Sequence, residues 1–169
     1  MQEGLWLYTI RHAEKADKNR IMEIYASARR RMAEGGNPDQ WGNTTPAESL
    51  VDADLEARRN YVLCRGGQIC GVFALFTDPD PTYSYIEGPG WLNDRPYFTI
   101  HRIARADGCS GIFAAVMDFC AGFNMDIRID THRKNQPMLH LLRSTGFKEC
   151  GVIYLQNGSP RIAFQKERI

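Results

Sequence analysis

The hydrophobic pattern opens with a short apolar run, "LWLYTI" (5–10), which reads as a strand. The period then changes. From Asp17 to Met32, Ile21, Ile24, Tyr25, Ala28 and Met32 recur at helical spacing, and the turn residues of "EGGNP" end the pattern. "DQWGNTTP" (39–46) reads as a loop and "AESLVDADLEARRN" (47–60) as a second helix. "YVLCR" and "QICGVFALFT" flank "GG", the pattern of a hairpin with a tight turn. "YSYIEG" and "YFTIHRIA" are two further predicted strands, separated by the Pro- and Gly-marked "PGWLNDRP".

The second half is better punctuated. "DGCSGIF" (107–113) joins the strand before it to a helix on which Ile112, Ala115, Val116, Phe119, Cys120 and Phe123 share a face. "DIRIDTH" (126–132) alternates like a strand. In "NQPMLHLLRSTGF" (135–147) Asn135 can cap a helix, Pro137 suits its first turn, and Gly146 can stop it before Phe147. "GVIYLQNGSPRIAFQK" closes the pattern as two strands around "NGSP". The order predicts an α/β class: a mixed, mostly antiparallel, twisted sheet of about seven strands with about four helices on its faces.

At 169 residues this reads as one domain, 1–169, large enough to bury a core. The net charge of +1 gives no case for nucleic acid or an anionic membrane as partner. Five cysteines without a CxxC pair or metal-ligand spacing read as reduced thiols, with no metal site. The N-terminus lacks a basic region and a cleavage pattern, and no run approaches the ~18 apolar residues of a membrane span. A cytoplasmic protein is expected.

A strand, a glycine turn and a helix N-terminus form an anion cradle, because backbone N–H groups and the helix dipole converge there. Gly108 allows a tight turn and Gly111 a close approach, but the loop has no Lys or Arg. Asp107 would repel a phosphate unless it points away, and Phe113 would narrow the cradle if its ring faced the ligand. G-x-G-x-x-G is absent, which argues against a dinucleotide enzyme.

The order of elements, with "RADGCSGIFAAVMDFC" followed by "DTHRKNQPMLHLLRSTGFKECGV", resembles the GNAT superfamily of acetyl-CoA-dependent N-acetyltransferases over nearly the whole chain. "PDQW" and "WLND" look like a bacterial branch of it whose substrates are mostly unassigned. The "N…LLRSTGF" ending matches the family's pattern well, and the pyrophosphate loop matches in part. Gly108 stands where the family has Gln or Arg, and Phe113 where it has Gly or Ala. The resemblance implies that acetyl-CoA lies along the backbone of Ile103 and Ala104. Its diphosphate would face Gly108, Cys109, Ser110, Gly111, Ile112, Phe113 and Ala114. Asn135 matches a cofactor-contacting Asn, although an N-cap role explains it equally. Arg102, Arg105, Lys134 and Arg143 could neutralise phosphates. The implied partner is a small-molecule or peptide amine, and a homodimer is compatible with the sequence.

Acyl transfer to an amine poses two proton problems. An ammonium with a pKa near ~10 must lose a proton before it attacks, whereas a thiol with a pKa near ~8.5 departs with little help. The base therefore matters more than the acid. His101 lies where many relatives place a strand glutamate, and an imidazole, with its unperturbed pKa near ~6.5, suits the task. Glu87, beside a glycine turn, is the alternative base. The family's usual tyrosine acid is replaced by Leu142, which leaves water or Tyr154 for that role. Gln40, Trp41 and Trp91 are the residues expected to line the amine pocket, although a loop Trp serves as readily as a hydrophobic plug. A CoA-binding module with little turnover is the competing reading.

Overall fold

The computed structural model describes residues 8–168. Within them the chain forms β1 (Thr9–His12), α1 (Lys18–Glu34), α2 (Glu48–Glu56), β2 (Asn60–Arg65), β3 (Gln68–Phe76), β4 (Tyr97–Arg105), α3 (Ile112–Ala121), β5 (Asp126–Thr131), α4 (Gln136–Ser144), β6 (Lys148–Tyr154) and β7 (Pro160–Lys166). The strands follow the order β1-β2-β3-β4-β5-β7-β6. β4 and β5 pair in parallel, and the β1–β2, β2–β3, β5–β7 and β6–β7 pairs are antiparallel. The α/β class, the mixed sheet and the number of elements agree with the sequence pattern. The first strand begins at Thr9, and residues 5–7 of its predicted span lie outside the described residues.

The chain divides into two compact units, Met1–Leu75 with Arg102–Gly122, and Phe76–His101 with Phe123–Ile169. In the first, α1 buries Ile21, Ile24, Tyr25 and Ala28 in a core with Val51 of α2 and Val62 and Val72 of β2 and β3. Removing each large side chain from water stabilises the unit by ~1.5–3 kcal/mol. Gly71 of β3 permits the close approach of α3: a Cβ there would stand 2.8 Å from Ile112 Cδ1 and 3.0 Å from its Cγ2. The buried Asp54 of α2 accepts a 2.5 Å hydrogen bond from Arg102 Nη2. Arg102 itself has φ +56°, a left-handed kink within β4 that is costly for a non-glycine residue. The Tyr25 hydroxyl donates to its carbonyl at 3.3 Å.

In the second unit the strands alternate apolar and polar positions. Ile127, Ile129 and Phe164 occupy one face, while the register pairs Tyr97 with Asp126, Thr99 with Arg128, Arg128 with Gln165 and Asp130 with Ala163 on the other. Groups buried on this polar face need partners, and the segment 77–96 supplies them. Asn93 Nδ2 donates to Asp126 at 2.8 Å, Leu92 N–H to Gln165 Oε1 at 3.1 Å, and Arg95 to Asp126 and Glu167 at 3.2 and 2.7 Å. The Arg128 guanidinium lies 4.1 Å from the Trp91 ring centroid and 3.9 Å from that of Tyr97. This corrects the expectation of a strand at "YSYIEG". The segment forms a 3-10 turn at Pro81–Tyr83 and meets β6 through the bridge between Glu87 and Val152 and the Gly90 N–H on the Cys150 carbonyl at 2.9 Å. It follows side-chain partners rather than a ladder, and Gly88 and Gly90 at φ +108° and +95° break any extension.

α4 begins and ends as its sequence dictates. Asn135 Oδ1 accepts the Met138 N–H at 3.2 Å, Gly146 takes φ +88°, and Phe147 is buried with its N–H on the Leu142 carbonyl at 3.2 Å.

Candidate functional site

Within the first unit, the end of β4 runs through a glycine turn into α3. Gly111 is the N-cap of α3 in the left-handed conformation (φ 73°, ψ 13°), and no side chain caps this terminus. Ala115 N–H makes its helical bond to the Gly111 carbonyl at 3.1 Å, so helix geometry directs the amides of residues 112–114 out of the end. Gly108 has φ +75°, and a Cβ added at Gly108 or Gly111 would meet nothing within 4 Å. Conformation therefore demands these glycines, and the space before them is open. The loop is anchored by Ala106 N–H on the Cys70 carbonyl at 2.8 Å and by the Tyr8 hydroxyl on the Ser110 carbonyl at 2.6 Å.

Both apparent defects of this loop have structural answers. Asp107 is held by Arg30 Nη2 at 3.1 Å and by Arg31 Nη1, both on α1. Arg31 Nη2 also donates to the Arg105 carbonyl at 2.5 Å. Two guanidinium groups, Arg30 and Arg31, thus stand against one carboxylate, and the loop borrows from α1 the positive charge its own sequence lacks. Phe113 is 6% exposed, so its bulk is buried rather than placed in the opening. Ile112 is buried as well, Cys109 is half-buried, and Ser110 and Ala114 are exposed. Ile103 is half-buried in β4, and the Ala104 side chain belongs to the core. Arg102 is committed to Asp54.

Within the second unit, His101 closes the polar face of β4. Its Nε2 lies 2.8 Å from Asp80 Oδ2, and its Nδ1 lies 3.9 Å from Asp130 Oδ1. Asp130 Oδ1 in turn accepts the Tyr83 hydroxyl at 2.7 Å. Asp80 Oδ1 accepts from the Thr82 amide at 2.8 Å and from the Thr82 hydroxyl at 2.6 Å, and the Asp80 N–H donates to the Tyr97 hydroxyl at 3.1 Å. Burial works to raise the Asp80 carboxyl, but the bonds from His101 and Thr82 outweigh it and hold the pKa at about 2. An ionised Asp80 fixes the His101 proton on Nε2 and leaves Nδ1 as the basic nitrogen. Phe76 meets the imidazole edge-on at 5.2 Å, and the Tyr83 ring lies 6.2 Å away. The His101, Asp80 and Asp130 side chains keep 22%, 14% and 10% exposure, enough for solvent to reach the group.

Glu87 and Tyr154 are also brought together. The Tyr154 hydroxyl donates to Glu87 Oε2 at 2.8 Å and the Tyr85 hydroxyl to Oε1 at 3.2 Å. These bonds raise the pKa of both tyrosines. The segment crosses β6 here because Gly151, at φ +141°, has no Cβ; one would stand 2.0 Å from the Glu87 carbonyl oxygen.

The remaining predicted residues have other surroundings. Trp41 is 9% exposed and meets Tyr25 edge-on at 5.6 Å, and Gln40 Oε1 accepts from Asn37 Nδ2 at 2.9 Å. Trp91 is half-buried and donates from Nε1 to the Tyr83 carbonyl at 2.9 Å. Asn135 is buried as the α4 cap, and Arg143 is exposed with Nη2 3.5 Å from Glu149. Asp80, Tyr83, Asp130, Arg30 and Arg31 are the chemical partners that sequence reasoning missed. Asp80 carried one local signal, an Asp–Pro turn in "DPDPTYS", but nothing in sequence says which histidine that turn returns to.

No family model matches the chain, and no curated protein matches it. Solved structures do. A GNAT-family acetyltransferase from Streptococcus agalactiae is 28% identical, with a TM-score of 0.88 over 98% of this chain and 99% of that one. A GNAT-family acetyltransferase from Listeria monocytogenes shares the fold at 19% identity, with a TM-score of 0.67 over 95% and 94% of the two chains. So does yncA from Salmonella typhimurium, solved with its cofactor acetyl-CoA, at 18% identity and a TM-score of 0.61 over 95% and 94%. With its element order, its strand pairing and a solved structure matched from end to end, the chain has the fold of the GNAT-family acetyltransferases and is similar to them over its whole length.

Proposed function

We infer that this protein is an N-acetyltransferase that moves the acetyl group of acetyl-CoA to a primary amine by direct attack, with both substrates bound as one domain's ternary complex. The observation that carries this reading is the Asp80–His101 pair, an imidazole whose tautomer is fixed so that one nitrogen is basic. The fold's similarity to acetyltransferases supports it. The cradle at residues 108–114 fits a diphosphate: its helix end is uncapped, its glycines are left-handed, and its acid is neutralised by α1. Acetyl-CoA would supply a thioester carbonyl that an amine can attack. The backbone of Ile103 and Ala104, together with Asn135 and Arg143, are further proposed contacts for it.

His101 Nδ1 takes one proton from the substrate ammonium, and Asp80 stabilises the imidazolium that results. The nitrogen lone pair then forms the N–C bond, the nitrogen releases its second proton to solvent, the C–S bond breaks, and CoA leaves as thiolate with little need for an acid. Tyr154 is the hydroxyl put forward to protonate it, with Glu87 as the acceptor that orients Tyr154. Gln40, Trp41 and Trp91 are proposed to shape the amine's surroundings. His101→Ala is expected to lower kcat by ~10²–10⁴-fold while acetyl-CoA affinity changes little. Full turnover in this variant would remove His101 from the mechanism.

A further inference from the structure

Among the described residues, three other than glycine take a positive φ: Arg58, Arg102 and Asn124. Arg58 and Asn124 follow the ends of α2 and α3, where a left-handed residue commonly closes a helix. Arg102, at φ +56°, stands inside β4, where extended backbone is the default. A side chain with a Cβ disfavours the left-handed region, so this conformation persists only because its surroundings impose it. Two helices of the same unit do so. From α2, Asp54 Oδ2 accepts from Arg102 Nη2 at 2.5 Å, with the Asp54 side chain 1% exposed. From α1, the Tyr25 hydroxyl donates to the Arg102 carbonyl at 3.3 Å. Burial pushes the pKa of that hydroxyl far up, so it stays a donor through the neutral range. α1 grips the strand again three residues on, where Arg31 Nη2 donates to the Arg105 carbonyl at 2.5 Å. Two carbonyls of β4 thus answer to α1 side chains, and Ile103 and Ala104 lie between them.

We propose that Asp54 and Tyr25 are positioning residues for acetyl-CoA, holding Arg102 left-handed so that the backbone of Ile103 and Ala104 is set in the direction with which the cosubstrate pairs. The proposal rests on the acetyltransferase reading and adds the residues that shape this backbone contact. Asp54 holds the Arg102 side chain and Tyr25 holds its carbonyl, so one residue is fixed at both ends. Relaxation of Arg102 to extended geometry would rotate the peptide planes that follow it, and the polar groups of Ile103 and Ala104 would leave that direction. Stability alone is a poor reason for the pair. A buried ion pair is commonly matched by apolar residues of similar volume, and what it adds here is a fixed conformation.

The test separates that conformation from a simple tie between α2 and β4. Arg102→Ala and Arg102→Gly remove the same ion pair and differ by one methyl group. Glycine enters the left-handed region freely, and alanine does not. In calorimetric titration with acetyl-CoA, with each variant's fold checked by its melting transition, Arg102→Gly is expected to bind ~5–30-fold tighter than Arg102→Ala. A pair that merely tied α2 to an extended strand would give the reverse order, since glycine weakens a strand relative to alanine. Asp54→Asn should weaken acetyl-CoA ~10-fold in the otherwise native chain and have no further effect in Arg102→Gly, because Asp54 acts through Arg102. Equal binding by the glycine and alanine variants, tighter binding by Arg102→Ala, or an undiminished Asp54→Asn effect in Arg102→Gly overturns the proposal. Should Arg102→Ala not fold, Tyr25→Phe decides, since it removes one hydroxyl and keeps the ring. Affinity ~3–10-fold weaker supports the proposal, and native affinity overturns it. A native chain that binds no acetyl-CoA removes the acetyltransferase reading and this proposal with it. Native binding with equal glycine and alanine variants removes the proposal alone.

Discussion

At the scale of single residues, the chemistry rests on what side chains do to one another rather than on which side chains are present. His101 is an ordinary imidazole until Asp80 meets its Nε2, and Asp80 is an ordinary surface acid until His101 and Thr82 hold it ionised. Asp80 therefore has a positioning role whose removal is readable in two ways. Its folded pKa of about 2 lies below the unfolded value of ~3.9, so it stabilises the fold above about pH 4, and that contribution is lost as pH falls towards 2. Asp80→Asn should cost on the order of 1 kcal/mol at neutral pH and flatten the acid side of the stability profile, measured by urea unfolding at several pH values. A structural role alone would stop there. The positioning role predicts in addition a kcat about 10-fold lower and a displaced acid limb of the pH–rate profile. An unchanged rate profile would show that Asp80 does not act through His101.

At the scale of elements, legibility followed locality. The helix over 135–147 could be read almost residue by residue because its cap, its first-turn proline and its terminating glycine are local signals, and α4 uses all three. The hairpin about "GG" and the helix at 17–32 were legible for the same reason. "YSYIEG" was not, because Tyr83 is held by Asp130 and Glu87 by the backbone of Val152, which lie far along the chain on β5 and β6. The cradle was half legible. Its glycines announced the turn, but the charge that answers Asp107 arrives from Arg30 and Arg31, some seventy-six residues earlier. α3 depends in turn on Gly71, a position with no apparent connection to the loop in sequence. Gly71→Val would drive a branched side chain into Ile112, the first residue of α3, and overpacking of this kind costs ~1–3 kcal/mol. Displacement of that residue moves the cradle amides, so acetyl-CoA affinity should fall about 10-fold or more in calorimetric titration, beyond what a uniform loss of stability would produce. Wild-type affinity in a folded Gly71→Val protein would show that α3 is not set by this contact.

At the scale of the molecule, each compact unit contains one ingredient of the proposed acyl transfer. The first holds an uncapped helix end with borrowed positive charge, and the second holds an imidazole beside two carboxylates. β4 contributes to both units, so a single strand carries His101 and leads into the cradle. The S. agalactiae relative spans both units. The claim on which everything else depends is that the partly matching loop "DGCSGIF" binds acetyl-CoA, and the melting temperature tests it most directly. Ligand at ~100 times its Kd stabilises a fold by about 2.7 kcal/mol, which for a chain of this size is a shift on the order of 5–10 °C. The account predicts that shift with acetyl-CoA and none with NAD. No shift with saturating acetyl-CoA would contradict it and would leave the chain with the family's fold but without its cosubstrate.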